Sequence, residues 1–587
     1  MQPNSFNILS RRAFLSQSFK TSMAVALATL TDIPFVMKRA LAEGNIGLNG
    51  KKIIFIWLRG ANDGLNSVIP IQDYAYTDPG VALRPAIGIQ KEASVNYGTK
   101  GPCFDPTQFS SNASLTPRTS AENTYSYDRA ICLGNGFAAL HPSLKFLAPV
   151  YNAGDLALVH RVAYPRQSRS HFDSQNYWEN GNPSNNLSKD GIFYRTIMES
   201  GLANTSPLTG ISIQSSLPLI LRGSDAAMTN LTSPTRYDLL GVPSPAGDAK
   251  AFNSIVGANY HPFPGKRSRD LLELQYQNMS NTLRIFANID FQDSGNTFRD
   301  DKVTDGDQDW YNGTAPDPAT GNRGYYLFPT SSGKNGGWQR PAGGGQNANK
   351  YVVSTGHHGF FGNLKAAAMI LNKTDAIIAG TEFGGFDTHQ NQGAATGQHA
   401  NLQRVIGWSM YALRKYFTEY ADKATWDNTI VVTLSEFGRT SRENSDDGTD
   451  HAEAAVMFVA GGGVKGYDPS NPLDVKYGVF GCSDNPAIDP IPWKNGPRTT
   501  NASSCGTMFA AGFRESATTV NPTTAGYLRR SSDYRSVLGE IIRKHLGATQ
   551  NQVNRIIPAY ANPGEYLQNG GVSSVDEVRI RGELGIL

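Results

Sequence analysis

Lys52-Ile-Ile-Phe-Ile-Trp-Leu58 is an unbroken apolar run behind a single lysine, and Arg59-Gly60 follows it directly. An apolar run of this length, without polar alternation, is typical of a strand that is buried on both of its faces. Such strands occur mainly in parallel sheets, because the crossovers between parallel strands place helices over both faces. Residues 52–58 therefore predict a buried strand inside a parallel sheet.

The rest of the chain alternates between strand-like and helix-like segments. Short apolar runs predict further strands, and amphipathic stretches predict helices between them. The predicted strands lie in residues 156–164, 208–221, 376–383, 429–434 and 454–460. The predicted helices lie in residues 141–152, 174–180, 268–289, 361–372, 401–420 and 534–546. This alternation predicts the fold class, an α/β three-layer sandwich with a mostly parallel central sheet.

Two long stretches lack this periodicity. Residues 290–350 are rich in Asp, Gly, Asn and Pro, and residues 467–531 are also loop-rich. Structureless loops of that length are uncommon inside a compact domain, and when ordered they are usually functional. We therefore expect both to be insertions in one domain that spans residues 43–587, and we expect the first to lie near or over a site.

The first 42 residues predict export through the twin-arginine (Tat) pathway. Arg11 and Arg12 precede Ala13-Phe14-Leu15, a weakly apolar stretch follows, and Ala40-Leu41-Ala42 offers a cleavage site. This order is that of a signal peptide, and the arginine pair marks the Tat type. The apolar stretch is shorter than the ~20 residues that span a bilayer. We expect the Tat translocase as a partner, a periplasmic or extracellular location, and no membrane span in the mature chain.

The predicted mature chain is almost electrically neutral. The full sequence has 53 Lys and Arg and 50 Asp and Glu, and residues 1–42 hold five of the basic residues and one of the acidic ones. The 48 basic and 49 acidic residues that remain offer no positive surplus for a polyanion. We therefore expect no nucleic acid and no anionic membrane surface as a partner.

Four cysteines stand at positions 103, 132, 482 and 505, and none belongs to a C-x-x-C motif. A zinc ribbon is therefore not predicted. In an oxidising compartment two disulfides are expected, with free buried thiols as the alternative. Closeness in sequence favours the pairs 103–132 and 482–505 among the three connectivities.

Four of the predicted strands, at 52–58, 156–164, 376–383 and 429–434, are followed by carboxylates, imidazoles and hydroxyls. The carboxyl ends of parallel strands lie at one edge of a sheet, so we expect these side chains to converge there. Carboxylates and imidazoles together suit zinc or manganese best, with calcium and magnesium as alternatives. The predicted metal ligands are Asp63, Asp387, His389, Glu436, Asp450 and His451.

The segment Ser168-Arg169-Ser170-His171 follows the strand at 156–164 and carries the predicted nucleophile. Ser170, with Asp173 three residues later, is also typical of a helix cap, and the two roles are compatible. A serine at a helix N-terminus lies beside free backbone N–H groups, where an anion also binds. A neighbouring metal would activate this hydroxyl. Ser168 is the alternative nucleophile.

Two arginines are candidates for holding a developing oxyanion. Arg169 lies beside the predicted nucleophile and can bind an anion through two N–H groups. Arg439 follows the strand at 429–434 and is predicted either to hold the oxyanion or to pair with a nearby carboxylate.

Six stretches of the sequence together resemble a bacterial family known as domain of unknown function 1501, whose members are mostly Tat-exported. They are LRGANDGLNSVIP (58–70), HPSLKFLAPVYNAGDLALVHRVAYPRQSRSHFDSQNYWENG (141–181), GGFDTHQNQ (384–392), VVTLSEFGRT (431–440), TDHAEAAVMFVAGGGVKG (449–466) and DYRSVLGEIIRKHLG (533–547). That family is grouped with the alkaline phosphatase-like superfamily, whose members share an α/β sandwich with metals at strand ends. The resemblance implies metal-binding roles for Asp63, Asp387, His389 and His451, and the nucleophile's position for Ser170 or Ser168.

The sequence departs from the superfamily pattern at two points. Asp387 and His389 are two residues apart, whereas the phosphatases space this pair by four. Glu436, followed by Phe437, stands where the superfamily has an Asp-His pair. The number of metals is therefore left open by the pattern. The absence of a C-x-P-x-R motif argues against a formylglycine sulfatase.

The expected function is that of an exported metal-dependent hydrolase of phosphate or sulfate esters. In this hypothesis Ser170 attacks the ester, and Arg169 and His171 position the transferred group. The substrate would be a small anionic ester or an extracellular polymer that carries one. The alternative is a non-catalytic secreted binding or assembly protein that keeps the fold and a structural metal, and a phosphomutase or lyase is a third hypothesis.

Overall fold

The computed structural model describes the parts of the chain that form the sheet and its flanking helices. These are residues 46–70, 83–89, 130–133, 138–165, 167–183, 185–202, 208–224, 228–232, 282, 285–286, 288–295, 297–300, 325–331, 355–468, 478–481, 509–510, 526–558 and 582–587. The predicted signal peptide, both predicted disulfides, most of the predicted helix at 268–289 and most of both predicted insertions lie outside the described residues.

Strands and helices alternate along the described chain. The strands are β1 (Lys52–Leu58), β2 (Val68–Ile69), β3 (Ile131–Cys132), β4 (Ala139–Leu140), β5 (Leu156–Ala163), β6 (Gly210–Ile213), β7 (Thr229–Leu231), β8 (Arg299–Asp300), β9 (Tyr325–Tyr326), β10 (Ile378–Phe383), β11 (Thr429–Leu434), β12 (Gly438–Arg439), β13 (His451–Ala452), β14 (Ala455–Ala460), β15 (Val479–Phe480), β16 (Phe509–Ala510), β17 (Tyr527–Leu528) and β18 (Ser532–Asp533). The helices are α1 (Gly64–Ser67), α2 (Leu147–Asn152), α3 (His171–Asn180), α4 (Ile192–Ser200), α5 (His358–Lys373), α6 (Gln398–Glu419), α7 (Tyr534–Glu540) and α8 (Gln550–Ile556).

Nine of the described strands form one mixed sheet. Its order is β15-β5-β14-β11-β1-β10-β6-β7, and β18 pairs with β5. The prediction of a mostly parallel sheet is wrong, because β14 runs antiparallel to both of its neighbours, β11 and β5. The connection between β11 and β14, which is described throughout, contains no helix. A parallel partner is usually reached through a helical crossover, and this connection instead folds into the short β12–β13 ladder and returns antiparallel.

The prediction for β1 is confirmed. It lies inside the sheet, parallel to β10 on one side and to β11 on the other. All seven of its residues are buried, and alternate residues enter two different cores. Residues 54, 56 and 58 belong to the core that includes α5 and α6, whereas residues 53, 55 and 57 belong to the core with α4, α7 and α8. The chain is therefore α/β, with helices over both faces of the sheet.

The strands predicted at 156–164 and 454–460 and the helices predicted at 361–372 and 401–420 match to within three residues. The stretch predicted at 208–221 contains only the four-residue strand β6, and the helix predicted at 141–152 is a 3-10 turn, Pro142–Leu144, followed by α2. The strand predicted at 429–434 has the observed bounds, and the strand at 376–383 begins two residues later, at Ile378. The helix predicted from residue 174 begins earlier, at His171. The helix predicted at 534–546 is α7 continued by a π-helical turn, Ile541–His545. Among the described helices, none combines the length and the apolar character that crossing a membrane requires.

Candidate metal centre

The loops that follow four strands meet at one edge of the sheet. Because β14 is antiparallel to both β11 and β5, β5 again runs in the direction of β1. The carboxyl ends of β1, β5, β10 and β11 therefore share an edge, as the sequence predicts. The short β12–β13 ladder continues from this edge and pairs Arg439 directly with His451.

Four side chains converge at this edge, and we call them the His–Asp cluster: His171, Asp387, His389 and His451. Asp387 Oδ1 lies 3.1 Å from the Nε2 atom of His389 and 3.1 Å from that of His451. Its Oδ2 lies 3.5 Å from His171 Nε2. The two Nε2 atoms of His389 and His451 are 2.9 Å apart. Donor atoms of His171, Asp387 and His451 all lie within 4.8 Å of one another.

Each imidazole of the cluster is oriented through its other nitrogen, Nδ1. His171 Nδ1 lies 2.8 Å from Glu436 Oε1, and His389 Nδ1 lies 3.1 Å from Asp450 Oδ1. His451 Nδ1 lies 2.9 Å from the backbone carbonyl oxygen of Arg169. Carboxylate and carbonyl oxygens accept hydrogen bonds, so they favour the tautomer with the proton on Nδ1. All three Nε2 lone pairs are then available toward Asp387.

This arrangement fits a divalent metal. With both Nδ1 atoms protonated, the Nε2 lone pairs of His389 and His451 repel each other unless a proton or a cation lies between them. His171 Nε2 is buried and has no hydrogen-bond partner. Nitrogen ligands of a tetrahedral zinc, at about 2.0–2.1 Å from the metal, are about 3.3 Å apart. Three imidazoles and one carboxylate suit zinc or manganese, and an oxygen acceptor on the second nitrogen is typical of metal-binding histidines.

The charges around the cluster favour an ionised carboxylate. Burial opposes the charge of Asp387, but the hydrogen bond and charge of Arg439, together with His451 and His389, outweigh burial and lower the pKa of Asp387 to about 2. The hydrogen bond to Glu436 raises the pKa of His171, whereas burial lowers the pKa of His451. At neutral pH the cluster therefore offers one negative carboxylate and at least one neutral imidazole.

Glu436 and Asp450, both predicted as metal ligands, orient histidines instead. Glu436 is buried, and its Oε1 accepts hydrogen bonds from the backbone N–H of Gly60 and from Gln175 as well as facing His171. Its pKa is lowered, since these hydrogen bonds outweigh the effect of burial. Asp450 is exposed and faces His389. Both residues therefore lie at the site, but they contact the histidines rather than the position that a metal would occupy.

Asp63 is held apart from the cluster by a buried ion pair. Arg84 donates to both of its carboxylate oxygens, at 2.6 and 3.0 Å, and Gln392 donates to Oδ2 at 2.6 Å. Asp63 also caps α1 through the backbone N–H of Leu65. Burial would raise the pKa of Asp63, but the charge of Arg84, the charge of His399 and the hydrogen bonds from Arg84 and Gln392 together lower it to about 2. Nothing in the local sequence around residue 63 indicates a partner 21 residues away.

Arg439 supports the loops rather than facing an open site. Its side chain is buried and donates to the backbone carbonyls of Gly60, Ala61, Phe386 and Thr449 as well as to Asp387. Of the two predicted roles, the structure therefore places Arg439 in a carboxylate pair.

The Ser168–His171 segment adjoins the cluster. Ser170 is exposed and caps α3, its Oγ accepting from the backbone N–H of Asp173 at 3.4 Å, so the predicted cap is confirmed. Ser168 Oγ accepts from the backbone N–H of Ser170. The Arg169 side chain lies at the surface, where it donates to the hydroxyl of Tyr527. His171, predicted to position a substrate, faces Asp387 through Nε2 and Glu436 through Nδ1.

The comparisons with known proteins give one match. Residues 342–468 match the model of a family described as "Protein of unknown function (DUF1501)". This stretch includes Asp387, His389 and His451, and the match supports the DUF1501 family for this chain. The comparisons with curated proteins and with solved structures gave no match.

Proposed function

We propose that this protein is an exported hydrolase of phosphate or sulfate esters that depends on a divalent metal held by the His–Asp cluster. The observation that carries the proposal is the orientation of three imidazoles, each with Nδ1 on an oxygen acceptor and Nε2 toward Asp387. This orientation supports a metal site more strongly than the residue types alone. Zinc or manganese is the proposed metal, with calcium or magnesium as alternatives.

Ser170 is the proposed nucleophile. It directly precedes His171, its side chain is exposed, and the neighbouring Arg169 carbonyl is bound to His451. Its hydroxyl attacks the phosphorus or sulfur, the alcohol of the ester leaves, and water then releases phosphate or sulfate from the serine. A bound divalent metal would stabilise the negative charge that develops on the transferred group. Arg169 is the proposed oxyanion contact, and Ser168 remains the alternative nucleophile.

We propose further that the chain has the fold of the alkaline phosphatase-like superfamily. The alkaline phosphatase-like superfamily has an α/β sandwich with metals at strand ends. The mixed sheet covered by helices and the cluster at one sheet edge are consistent with that superfamily. Export through the Tat pathway is proposed on the Arg11-Arg12 signal. Because the cluster residues come from separate loops, the metal site forms only in folded protein, which the Tat pathway would carry.

The test is hydrolysis of aryl phosphate and aryl sulfate esters by purified residues 43–587, together with elemental analysis of the protein. We expect bound zinc or manganese, activity that a chelator removes and the metal restores, and loss of that activity in Ser170→Ala. Ser168→Ala is the matched control, and it identifies the nucleophile if the two serines exchange roles. Activity that survives both chelation and Ser170→Ala would refute the mechanism.

A non-catalytic metal-binding protein is the second candidate. The observation that favours it is that Arg439 uses its donors on backbone carbonyls and on Asp387, rather than on an open site. Metal-loaded protein that hydrolyses neither ester class, but copurifies with an extracellular polymer or protein, would support this function.

A further inference from the structure

Gln392 connects the two loops that carry most of the His–Asp cluster. Its side chain is fully buried, within the loop that joins β10 to α6. Its Oε1 accepts from the hydroxyls of Thr388 and Thr449, each at 2.8 Å. Its Nε2 donates to Asp63 Oδ2 at 2.6 Å. One amide therefore joins three separate segments of the chain.

The orientation of this amide follows from its partners. Asp63 is ionised against Arg84, so its carboxylate accepts hydrogen bonds and the NH2 group of Gln392 must face it. The carbonyl oxygen of Gln392 then faces the two threonine hydroxyls, and both of them donate. A buried amide whose hydrogen bonds are satisfied in this way has one stable orientation.

The two threonines stand inside the ligand-bearing loops. Thr388 lies between Asp387 and His389, and Thr449 lies two residues before His451. The backbone N–H of Thr449 also donates to the carbonyl of Thr388 at 3.1 Å. Displacing either hydroxyl from Gln392 would therefore move the residues on both sides of the cluster.

We infer that Gln392 is the positioning residue of the metal site, and that it holds the 384–392 and 444–451 loops at the separation that a shared metal requires. Within the described residues, its side chain hydrogen-bonds to no member of the cluster and acts through Thr388 and Thr449. The Asp63–Arg84 pair fixes its other end. The inference rests on the proposed metal binding and does not depend on the proposed ester hydrolysis.

The experiment removes one hydroxyl at a time. Thr388→Val and Thr449→Val keep the side-chain shape and lose the hydrogen bond to Gln392, whereas Thr388→Ser keeps the hydroxyl. Thr196→Val is the matched control, because Thr196 is buried and donates its hydroxyl to Ile192 within α4. The measurements are the zinc Kd, by competition with a chelator, and the visible absorption spectrum of the cobalt-loaded protein.

We expect each of the first two variants to weaken zinc binding by about tenfold or more and to change the cobalt spectrum. The zinc Kd values of Thr388→Ser and Thr196→Val should lie within about threefold of the parent value. The double variant Thr388→Val/Thr449→Val should lose less affinity than the product of the single losses, because both hydroxyls act on one carbonyl.

Parent-like zinc affinity and parent-like cobalt spectra in both valine variants would overturn the inference and leave the metal site standing. Weakened binding in those variants, in a parent that binds zinc but cleaves no ester, would support the inference and refute the hydrolase. A parent that binds neither zinc nor manganese would refute both.

Discussion

Replacing Arg84 with methionine should show how much the buried Asp63–Arg84 ion pair contributes to the stability of the fold. Arg84 makes five hydrogen bonds, two to Asp63, one to Asn66, and two to the backbone carbonyls of Thr440 and Ser441. Both members of the ion pair are buried. Removing one partner of a buried ion pair typically costs about 3–5 kcal/mol, because the other charge stays buried without compensation. We expect the Arg84→Met variant to lose about that much unfolding free energy at pH 7.

A double variant removes the charge of Asp63 as well as that of Arg84. Asp63→Asn in the Arg84→Met background removes the unpaired charge and keeps the side-chain volume, so the double variant should be more stable than Arg84→Met alone. The assay is urea unfolding followed by tryptophan fluorescence and by circular dichroism, on metal-free protein, with the two probes compared for a single transition. Arg84→Lys should fall between parent and Arg84→Met, because lysine keeps the charge but cannot make the two-pronged contact.

The unfolding free energies of the parent and of Arg84→Met should also depend on pH in a direction that the pKa of Asp63 determines. The pKa of Asp63 in the folded parent is lowered to about 2, below its usual value of 3.8. The stability that it contributes is therefore present above pH 3.8 and is lost as the pH falls through about 2. Without Arg84, burial raises the pKa of Asp63, so the deficit of Arg84→Met should shrink between pH 7 and pH 4. A double variant less stable than Arg84→Met, with a deficit independent of pH, would refute the ion-pair account.

Three further predictions concern stability, the loops and export. Burial lowers the pKa of His160 to about 3, so the folded protein has its full unfolding free energy with respect to this group above pH 6.5 and loses part of it below that pH. His160 should account for a loss of about 2 kcal/mol of unfolding free energy by pH 5. Urea unfolding measured at several pH values should show that His160→Gln removes this loss. A Cβ on Gly448 would lie 2.2 Å from a backbone oxygen of the 384–392 loop, whereas one on Gly463 would meet nothing within 4 Å; Gly448→Ala should therefore weaken zinc binding and destabilise the fold by about 1–3 kcal/mol, and Gly463→Ala should do neither. Arg11→Lys combined with Arg12→Lys should leave folded precursor in the cytoplasm on fractionation, and normal export of that variant would contradict the Tat prediction.

The sequence was sufficient to predict a sheet with helices on both faces and the edge of that sheet at which the site residues meet. The apolar side chains of residues 52–58 can all be buried only if helices pack on both faces of the strand, and β1 lies between two such cores. Strand-end positions likewise predicted that Asp387, His389 and His451 would meet. These inferences succeed because they depend on periodicity and chain direction, which a single sequence records.

The roles of individual side chains were harder to predict, because strand-end position does not say where a side chain points. Glu436 and His171 both come to the same edge, yet the carboxylate orients the imidazole and the imidazole faces Asp387. Asp63 has the residue type of a ligand, but its partner Arg84 stands in a separate segment. Such pairings are tertiary, and hydrogen-bond satisfaction inside the core determines them.

The one clear error in the predicted topology bears directly on the site. A helical crossover after β11 would have carried the chain over a face of the sheet and away from its edge. Instead, the chain reverses through β12 and β13, and that ladder sets His451 opposite Arg439, whose guanidinium also binds Asp387. The same reversal then makes β14 antiparallel. The antiparallel return of β14 is therefore the route by which His451 reaches the His–Asp cluster, whereas Asp387 and His389 reach it from the loop that follows a parallel strand, β10.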